Sequence, residues 1–334
     1  MNHECVKKGM SKTLLVVCVV LVFGSVSQLF AAEAITGDWE MKENYEHGQS
    51  LSMLSISKKA DGSLSGKWTG GWGEIDLADL KFENDKLSFS RTFKGRDAEH
   101  KSAFTGTLKD GKIAGTVTSE RGSFSATAER PVPKPAVLGR WDLTVKKGEK
   151  ESARKLVVSQ DPNGSFRAKW TSDKGTSEVS DVKFKDGKLS FKRKSKNEEK
   201  ERESTFEGTV QGDSITGTMT NENGQAPVVG KRFGTQLIGK WELTTTNERG
   251  ERKRQLIVNS DLTGTYPAGF TLAPIKNLEL EGNNVTFKID MSFGDRQVKM
   301  DFKGKLEGET LTGEFTSERG VTKASGKKIA AGQM

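Results

Sequence analysis

Apolar and polar residues alternate along most of this chain, and the pattern is clearest between residues 139 and 232. Phe166, Ala168 and Trp170 share one phase, and the residues between them are polar. A period of two places alternate side chains on opposite faces of a β-strand. Glycine-containing turn signals such as Asp161–Gly164 separate the runs. The pattern therefore predicts an all-β fold with about eight short strands per 95 residues.

The same pattern recurs three times, each copy opening on a Gly-x-Trp segment at Trp39, Trp141 and Trp241. An apolar pair follows 15 and 17 residues after each Trp, and an aromatic residue follows at 29, namely Trp68, Trp170 and Phe270. The third copy is four residues shorter after Phe270. We therefore predict repeats over 35–130, 138–233 and 238–328, with a proline-rich linker over 131–137.

Sequential hairpins with one apolar face predict a small up-and-down antiparallel β-barrel in each repeat. Two glycines, Gly208 and Gly217, fall on the inward phase two residues after Phe206 and Ile215. A missing side chain at such positions permits the strong bend that barrel closure needs. Modules built as two-sheet β-sandwiches are the alternative, because they show the same alternation.

A Gly-x-Trp that opens an eight-stranded meander resembles the calycin superfamily of lipocalins, fatty-acid-binding proteins and avidins. The resemblance implies a basic residue on the last strand packed over the opening Trp, which is a cation–π contact. The spacing supplies three such pairs: Trp39 with Arg130, Trp141 with Arg232, and Trp241 with Lys328. The tryptophans that wall the biotin site of avidin, and the lipocalin N-terminal helix and lid loop, have no counterpart in this sequence.

Residues 1–34 have the layout of a secretory signal peptide. Lys7, Lys8 and Lys12 precede an apolar stretch over 13–23, and small residues follow at Ala32 and Ala34. We predict an exported protein, periplasmic or secreted, that is cleaved near Ala32 to Ala34 and has no membrane span afterwards. An uncleaved anchor is the alternative. Both cysteines lie in this segment, so the cleaved chain must fold without disulfides.

Composition and charge narrow the function classes. With 33% hydrophobic residues the chain is not a multi-span membrane protein, and its net charge of +8 comes from interspersed signs. The run over 192–203 mixes lysine, arginine and glutamate, which predicts a solvated hairpin and no nucleic-acid binding. Beyond the signal segment the chain has two histidines, His47 and His100. We therefore predict no metal, no cofactor and no enzymatic activity.

The candidate ligand-binding residues are aromatic. Trp68, Trp170 and Phe270 fall on the inward phase, where they serve as core residues or as walls of a ligand cavity. Trp72 occurs only in the first copy, inside Gly70–Gly73, and suits contact with a glycan or protein or a lid over its own barrel. We see no inward polar cluster in the pattern. We predict an exported binding or scaffold protein, with a carrier of small hydrophobic ligands as the alternative.

The signal-peptide prediction is tested by intact-mass spectrometry of the protein recovered from the periplasm or medium. We expect a chain that begins at Glu33 or Ile35, because both cuts leave small residues before the cleaved bond. Replacing Ala32 and Ala34 with Phe should block processing. A recovered native chain that keeps residues 1–34 would instead support the anchor.

Overall fold

The computed structural model describes residues 34–46, 48–94, 98–197, 200–248, 250–269, 271–293 and 296–329. These residues form three antiparallel sheets, one for each repeat, and the only regular structure in them besides strands is a short helical step at 34–35. The all-β prediction is confirmed. The predicted signal peptide lies outside the described residues except for Ala34, so its cleavage stays a prediction.

The first sheet is a nearly closed barrel of nine strands, where about eight were predicted. Its strands are β1 (Gly37–Tyr45), β2 (Gly48–Lys58), β3 (Leu64–Gly70), β4 (Gly73–Asp76), β5 (Ala78–Glu83), β6 (Lys86–Lys94), β7 (Glu99–Lys109), β8 (Lys112–Ser119) and β9 (Gly122–Glu129). The strand order is β4-β3-β2-β1-β9-β8-β7-β6-β5, so β1 pairs with β9 while β4 and β5 end the sheet. The sheet is therefore barrel-like except for one gap, between β4 and β5, where the strands are not paired; we call this gap the seam.

The second and third sheets are closed eight-stranded barrels, as predicted. The second barrel consists of β10 (Gly139–Lys147), β11 (Lys150–Gln160), β12 (Phe166–Ser172), β13 (Gly175–Lys185), β14 (Lys188–Asn197), β15 (Lys200–Gln211), β16 (Ser214–Asn221) and β17 (Gly224–Arg232). The third consists of β18 (Gly239–Asn247), β19 (Gly250–Val258), β20 (Gly264–Ala268), β21 (Thr271–Glu281), β22 (Asn284–Phe293), β23 (Arg296–Glu307), β24 (Thr310–Ser317) and β25 (Gly320–Ile329). The β-sandwich alternative is wrong for both.

The seam in the first sheet lies beside a bulge that all three repeats share. Asp79, Asp181 and Asn277 are equivalent and have φ values of 54°, 54° and 52°. Asp and Asn tolerate this left-handed conformation better than most residues. The strand register shifts beside each of them. In the later repeats one strand covers this region, whereas in the first repeat it is interrupted at Leu77, between β4 and β5.

Large side chains fill the barrel interiors. In each repeat two inward Phe rings stack across neighbouring strands, with centroids 4.6–5.1 Å apart: Phe89 with Phe104, Phe191 with Phe206, and Phe287 with Phe302. The second Phe lies over a cross-strand glycine pair such as Gly208 and Gly217. A Cβ added at Gly217 would come within 2.4 Å of the Glu207 carbonyl oxygen. Glycine is required here because backbone and ring occupy the space of a side chain.

Each repeat is closed at one end around its first Trp. The indole Nε1 donates a 2.8 Å hydrogen bond to the carbonyl four residues earlier, that of Ile35, Val137 or Leu237. The guanidinium carbons of Arg130 and Arg232 lie 3.8 and 4.1 Å from the ring centroids of Trp39 and Trp141. The Lys328 ammonium nitrogen lies 5.8 Å from the ring centroid of Trp241. We call this end the closed end.

Arg232 also holds the chain that enters the second barrel. Its side chain is 2% exposed and donates to the carbonyls of Leu138 at 2.7 Å and Ala136 at 2.5 Å. It pairs with Asp213 at 2.8 Å. One buried cation therefore satisfies backbone oxygens that would otherwise be unpaired, and joins the first strand of the barrel to the last.

The chain divides into two compact units. The first contains the first sheet up to Pro131 together with Gly269–Thr271, and the second contains the other two barrels. Within the second unit, Phe233 packs against the core of the third barrel. Lys134, from the predicted linker, pairs with Asp261 of the third barrel at 2.7 Å. These contacts join the second and third barrels directly.

We predict that Arg232→Ala lowers the stability of the second barrel by about 3 kcal/mol, because it leaves buried carbonyls unpaired. Hydrogen exchange by mass spectrometry on peptides from 139–232 measures this as a roughly hundredfold loss of protection.

Arg167→Ala is the matched control, since that side chain is 74% exposed and makes one surface ion pair with Asp161. Arg140 is unsuitable because its guanidinium lies 3.5 Å from the Phe233 ring centroid. Equal effects of the Arg232 and Arg167 changes would contradict the role of the closed end.

Candidate ligand-binding ends of the barrels

The end opposite the closed end is formed by four hairpins in each repeat. In the second barrel the hairpin pairs are Lys147 with Lys150, Ser172 with Gly175, Asn197 with Lys200, and Asn221 with Gly224. We call this the hairpin end. Trp68 and Trp170 each lie two residues before the last residue of their strand at this end, and Trp72 lies in the β3–β4 turn. Phe270 falls outside the described residues, so its predicted role stays a prediction.

The hairpin end of the first barrel contains a buried ion pair. Glu43 and Arg91 have side chains 1% and 4% exposed, and Glu43 Oε1 lies 2.7 Å from Arg91 Nη2. The Tyr45 hydroxyl donates to Glu43 Oε2 at 2.6 Å, and Arg91 Nε donates to Ser102 Oγ at 2.9 Å. Burial raises the pKa of Tyr45 far above its usual value, and the Glu43 carboxylate raises it further.

Trp68 forms one wall of this cluster. The Arg91 guanidinium carbon lies 4.3 Å from its ring centroid, and its Nε1 donates to Ser52 Oγ at 2.9 Å. Trp68 is thus a core residue that also makes a hydrogen bond and a cation–π contact inside the barrel. The expectation of an interior without inward polar groups is wrong. The sequence contains the evidence for an inward glutamate, because Glu43 has the same phase as Trp39 and Met41. The alternation pattern was defined by apolar residues alone, so it did not include Glu43.

Trp72 lies at the rim of the same end. It is 50% exposed, and its ring is nearly parallel to Phe93, with centroids 6.1 Å apart. Phe93 in turn lies 5.8 Å from the His100 ring. Trp72, Phe93 and His100 therefore form a partly exposed aromatic strip beside the buried polar cluster, which we call the aromatic rim.

The second barrel has a different set of groups at its hairpin end. Trp170 is 1% exposed, and its Nε1 has no hydrogen-bond partner in the described part of the chain. The Arg193 guanidinium carbon lies 5.5 Å from its ring centroid, and Arg193 Nε donates to Ser177 Oγ at 3.0 Å. Burial lowers the pKa of Arg193, and the nearby charge of Arg154 lowers it further.

Arg193 also corrects the interpretation of the charged run over 192–203 as a wholly solvated hairpin. Its neighbours Lys192 and Lys194 do lie outside, paired with Asp181 at 2.9 Å and Glu203 at 3.1 Å. Arg193 faces inward because it continues the phase of Leu189 and Phe191. Consecutive charged residues on a strand therefore alternate between the inner and outer faces of the barrel, and only those on the outer face are exposed to solvent.

The third barrel has neither of these arrangements. Thr245 and Ile289 stand where the first repeat has Glu43 and Arg91. The Arg254 guanidinium carbon lies 6.0 Å from the ring centroid of the buried Tyr266. The three hairpin ends thus differ in chemistry although the closed ends are alike.

Two depressions lie outside the barrel interiors. A groove of about 790 Å³ runs between the second and third barrels and is lined by residues that include Lys134, Arg140, Phe233, Leu262 and Glu279. A depression of about 740 Å³ lies over the Gly304–Gly313 pair on the third barrel. Over the described ranges, no group of three or more His, Cys, Asp or Glu residues could hold a metal ion. The same ranges include no helix long and apolar enough to cross a membrane.

We predict that Glu43→Thr and Arg91→Ile each destabilise the first barrel by about 3–5 kcal/mol, because each leaves one buried charge unpaired. The double variant carries the residue pair that the third barrel has at these positions and should cost less than either single change. Pulse proteolysis in urea measures the three values. If the loss of unfolding free energy in the double variant equals the sum of the losses in the two single variants, the two charges are not coupled.

Comparison with known proteins gives no family. No family model matches the chain, and no curated protein matches it. Among solved structures, one match is a Bacteroides fragilis protein provisionally described as an outer membrane protein, with 17% identity over 60% of this chain and 99% of that one, and a TM-score of 0.25. A Nostoc punctiforme protein of unknown function from the DUF3598 family shows 12% identity, 90% and 99% coverage, and a TM-score of 0.23. Transferrin binding protein B of Haemophilus parasuis shows 13% identity, 88% and 76% coverage, and a TM-score of 0.19. TM-scores this low do not establish a shared fold.

Proposed function

We propose that this chain is an exported, non-enzymatic binding protein whose three calycin-like barrels present ligand-contacting groups at their hairpin ends. The observation that carries the proposal is the placement of charged and aromatic groups at one end of a side-chain-filled barrel. The opposite end is closed by the Trp and basic pairs. A rigid scaffold with variable groups at one end is a common design for binding sites.

The difference between repeats supports binding over a purely structural role. The core positions repeat, as in Trp39, Trp141 and Trp241, whereas the hairpin-end position of Glu43 holds Val145 and Thr245 in the later copies. A buried ion pair adds little stability compared with apolar residues of similar size. Charges retained at one end of one barrel are therefore better explained by contact with a partner than by folding.

The aromatic rim of the first barrel suits a glycan or a protein surface. A half-exposed Trp stacked on Phe93 offers an apolar face together with an indole N–H, a combination that is enriched at binding interfaces. A small hydrophobic ligand carried inside a barrel is the alternative function. Such a ligand would have to displace the Phe pairs and Trp rings that fill the interiors.

The proposal is tested by nuclear magnetic resonance of the full chain labelled with ¹⁵N at tryptophan. The six indole N–H groups divide into Trp68, Trp72 and Trp170 toward the hairpin ends and Trp39, Trp141 and Trp241 at the closed ends. If a glycan, peptide or small ligand binds, we expect it to shift only the indole signals of Trp68, Trp72 or Trp170. Trp72→Ala should remove binding at the rim, and each signal is assigned by a Trp→Phe variant.

Two outcomes would overturn the proposal. Ligands that shift only closed-end signals would place binding elsewhere, and turnover of a bound ligand would make the chain an enzyme. A fluorescent fatty acid that binds and shifts both sets of signals would favour the carrier.

A further inference from the structure

The first and second repeats share the same two aromatic and basic positions but differ in what surrounds them. Trp68 corresponds to Trp170, and Arg91 corresponds to Arg193. In both barrels the arginine lies against the indole ring, at 4.3 and 5.5 Å from its centroid. The first repeat shows which partners the chain itself can supply at these two positions.

In the first barrel the chain supplies an acceptor to both side chains, although Arg91 Nη1 itself has none among the described residues. Arg91 pairs with the Glu43 carboxylate, and the Trp68 indole donates to Ser52. In the second barrel Glu43 is replaced by Val145 and Ser52 is replaced by Arg154. The replacements remove both acceptors while the donors stay.

Trp170 and Arg193 of the second barrel therefore lack the acceptors that Trp68 and Arg91 have in the first. The Trp170 N–H is fully buried and unpaired in the described part of the chain. No carboxylate of that part lies within 4.0 Å of Arg193, whose Nε donates to Ser177. A buried donor without an acceptor is unfavourable, and so is a partly buried cation without a counter-ion.

Arg154 adds a second cation instead of relieving the first. Its Nη1 contacts the Ala153 carbonyl at 2.6 Å and the Asp173 carboxylate at 3.3 Å, and Asp173 is 72% exposed. Solvent weakens this ion pair, and the Arg154 charge lies close enough to Arg193 to act on it unfavourably. The nearby Lys194 and Glu203 pair with each other on the outer face.

We propose that the hairpin end of the second barrel binds a short aliphatic monocarboxylate between Arg193, Arg154 and the Trp170 indole. Its carboxylate takes the place that the Glu43 carboxylate has in the first barrel, and its carbon chain lies against Val145. Arginine and an indole N–H together offer the charge-assisted donors that a carboxylate accepts. This inference rests on the proposed function and names a ligand class for one of its three ends.

The test uses the full chain labelled with ¹⁵N at tryptophan, titrated with sodium propionate and, at equal ionic strength, with sodium chloride or sodium sulfate. Propionate is chosen because it matches the side chain of glutamate from Cβ outward. We expect a saturable shift of the Trp170 indole signal with propionate alone. The Trp68 signal should not move, because Glu43 already occupies the equivalent place.

Two variants remove the site in different ways. Arg193→Met removes the cation and keeps the apolar stem, and Val145→Glu supplies an internal carboxylate as in the first barrel. Both should abolish the propionate shift, and Val145→Glu should move the unliganded Trp170 signal toward its bound position. Arg167→Met, exposed near the closed end, is the matched control and should keep the full response. Hydrogen exchange over 139–232 checks that each variant is folded.

Several outcomes would overturn the inference: no shift of Trp170 with propionate, an equal shift with all three anions, or a shift retained in folded Arg193→Met. If propionate fails while other ligands shift Trp68 or Trp72, the carboxylate site is wrong and the proposed function stands. If no ligand of any class shifts a hairpin-end signal, the proposed function fails as well.

Discussion

The contact on which each repeat depends is the opening Trp, held between a backbone carbonyl and a cation. The indole N–H binds the carbonyl four residues earlier, and the basic residue at the end of the last strand covers the ring. In the second barrel this cation is buried and also binds two entry carbonyls. An antiparallel meander needs its first and last strands joined, and this contact joins them with the entering chain. A barrel closed at one end leaves the opposite end free to vary.

The three hairpin ends show what that freedom permits. The first barrel balances an inward arginine with its own glutamate, the second keeps the arginine and loses the glutamate, and the third has neither. The stacked Phe pairs and the glycines beneath them persist in all three copies. Packing constraints act on the core, where a Cβ at Gly217 would meet backbone. They act less on side chains near the hairpin turns, where the three copies differ at the positions of Glu43 and Arg91.

Much of the fold was predictable because period-two alternation and repeat spacing are local signals. They indicated the strands of the two closed barrels and put a basic residue 91 positions after Trp39 and Trp141. They did not indicate the seam in the first sheet. The bulge at Asp79, Asp181 and Asn277 is common to all repeats, yet only in the first repeat is the strand interrupted beside it, at Leu77. Whether a strand continues past a bulge depends on its pairing with strands that are distant in the chain. The spacing of residues in the sequence does not predict that pairing.

The sequence by itself determined the strand class, the triple repeat, and the residue types available at each end of each barrel. Only the tertiary structure decided that Glu43, Arg91 and Trp68 meet, that Arg193 turns inward from a charged run, and that the Trp170 N–H lacks a partner. These residues come from strands far apart in the chain, and barrel closure brings them together. Their charges interact strongly only because burial removes the water that would otherwise screen them. A one-dimensional pattern records neither that closure nor that loss of water.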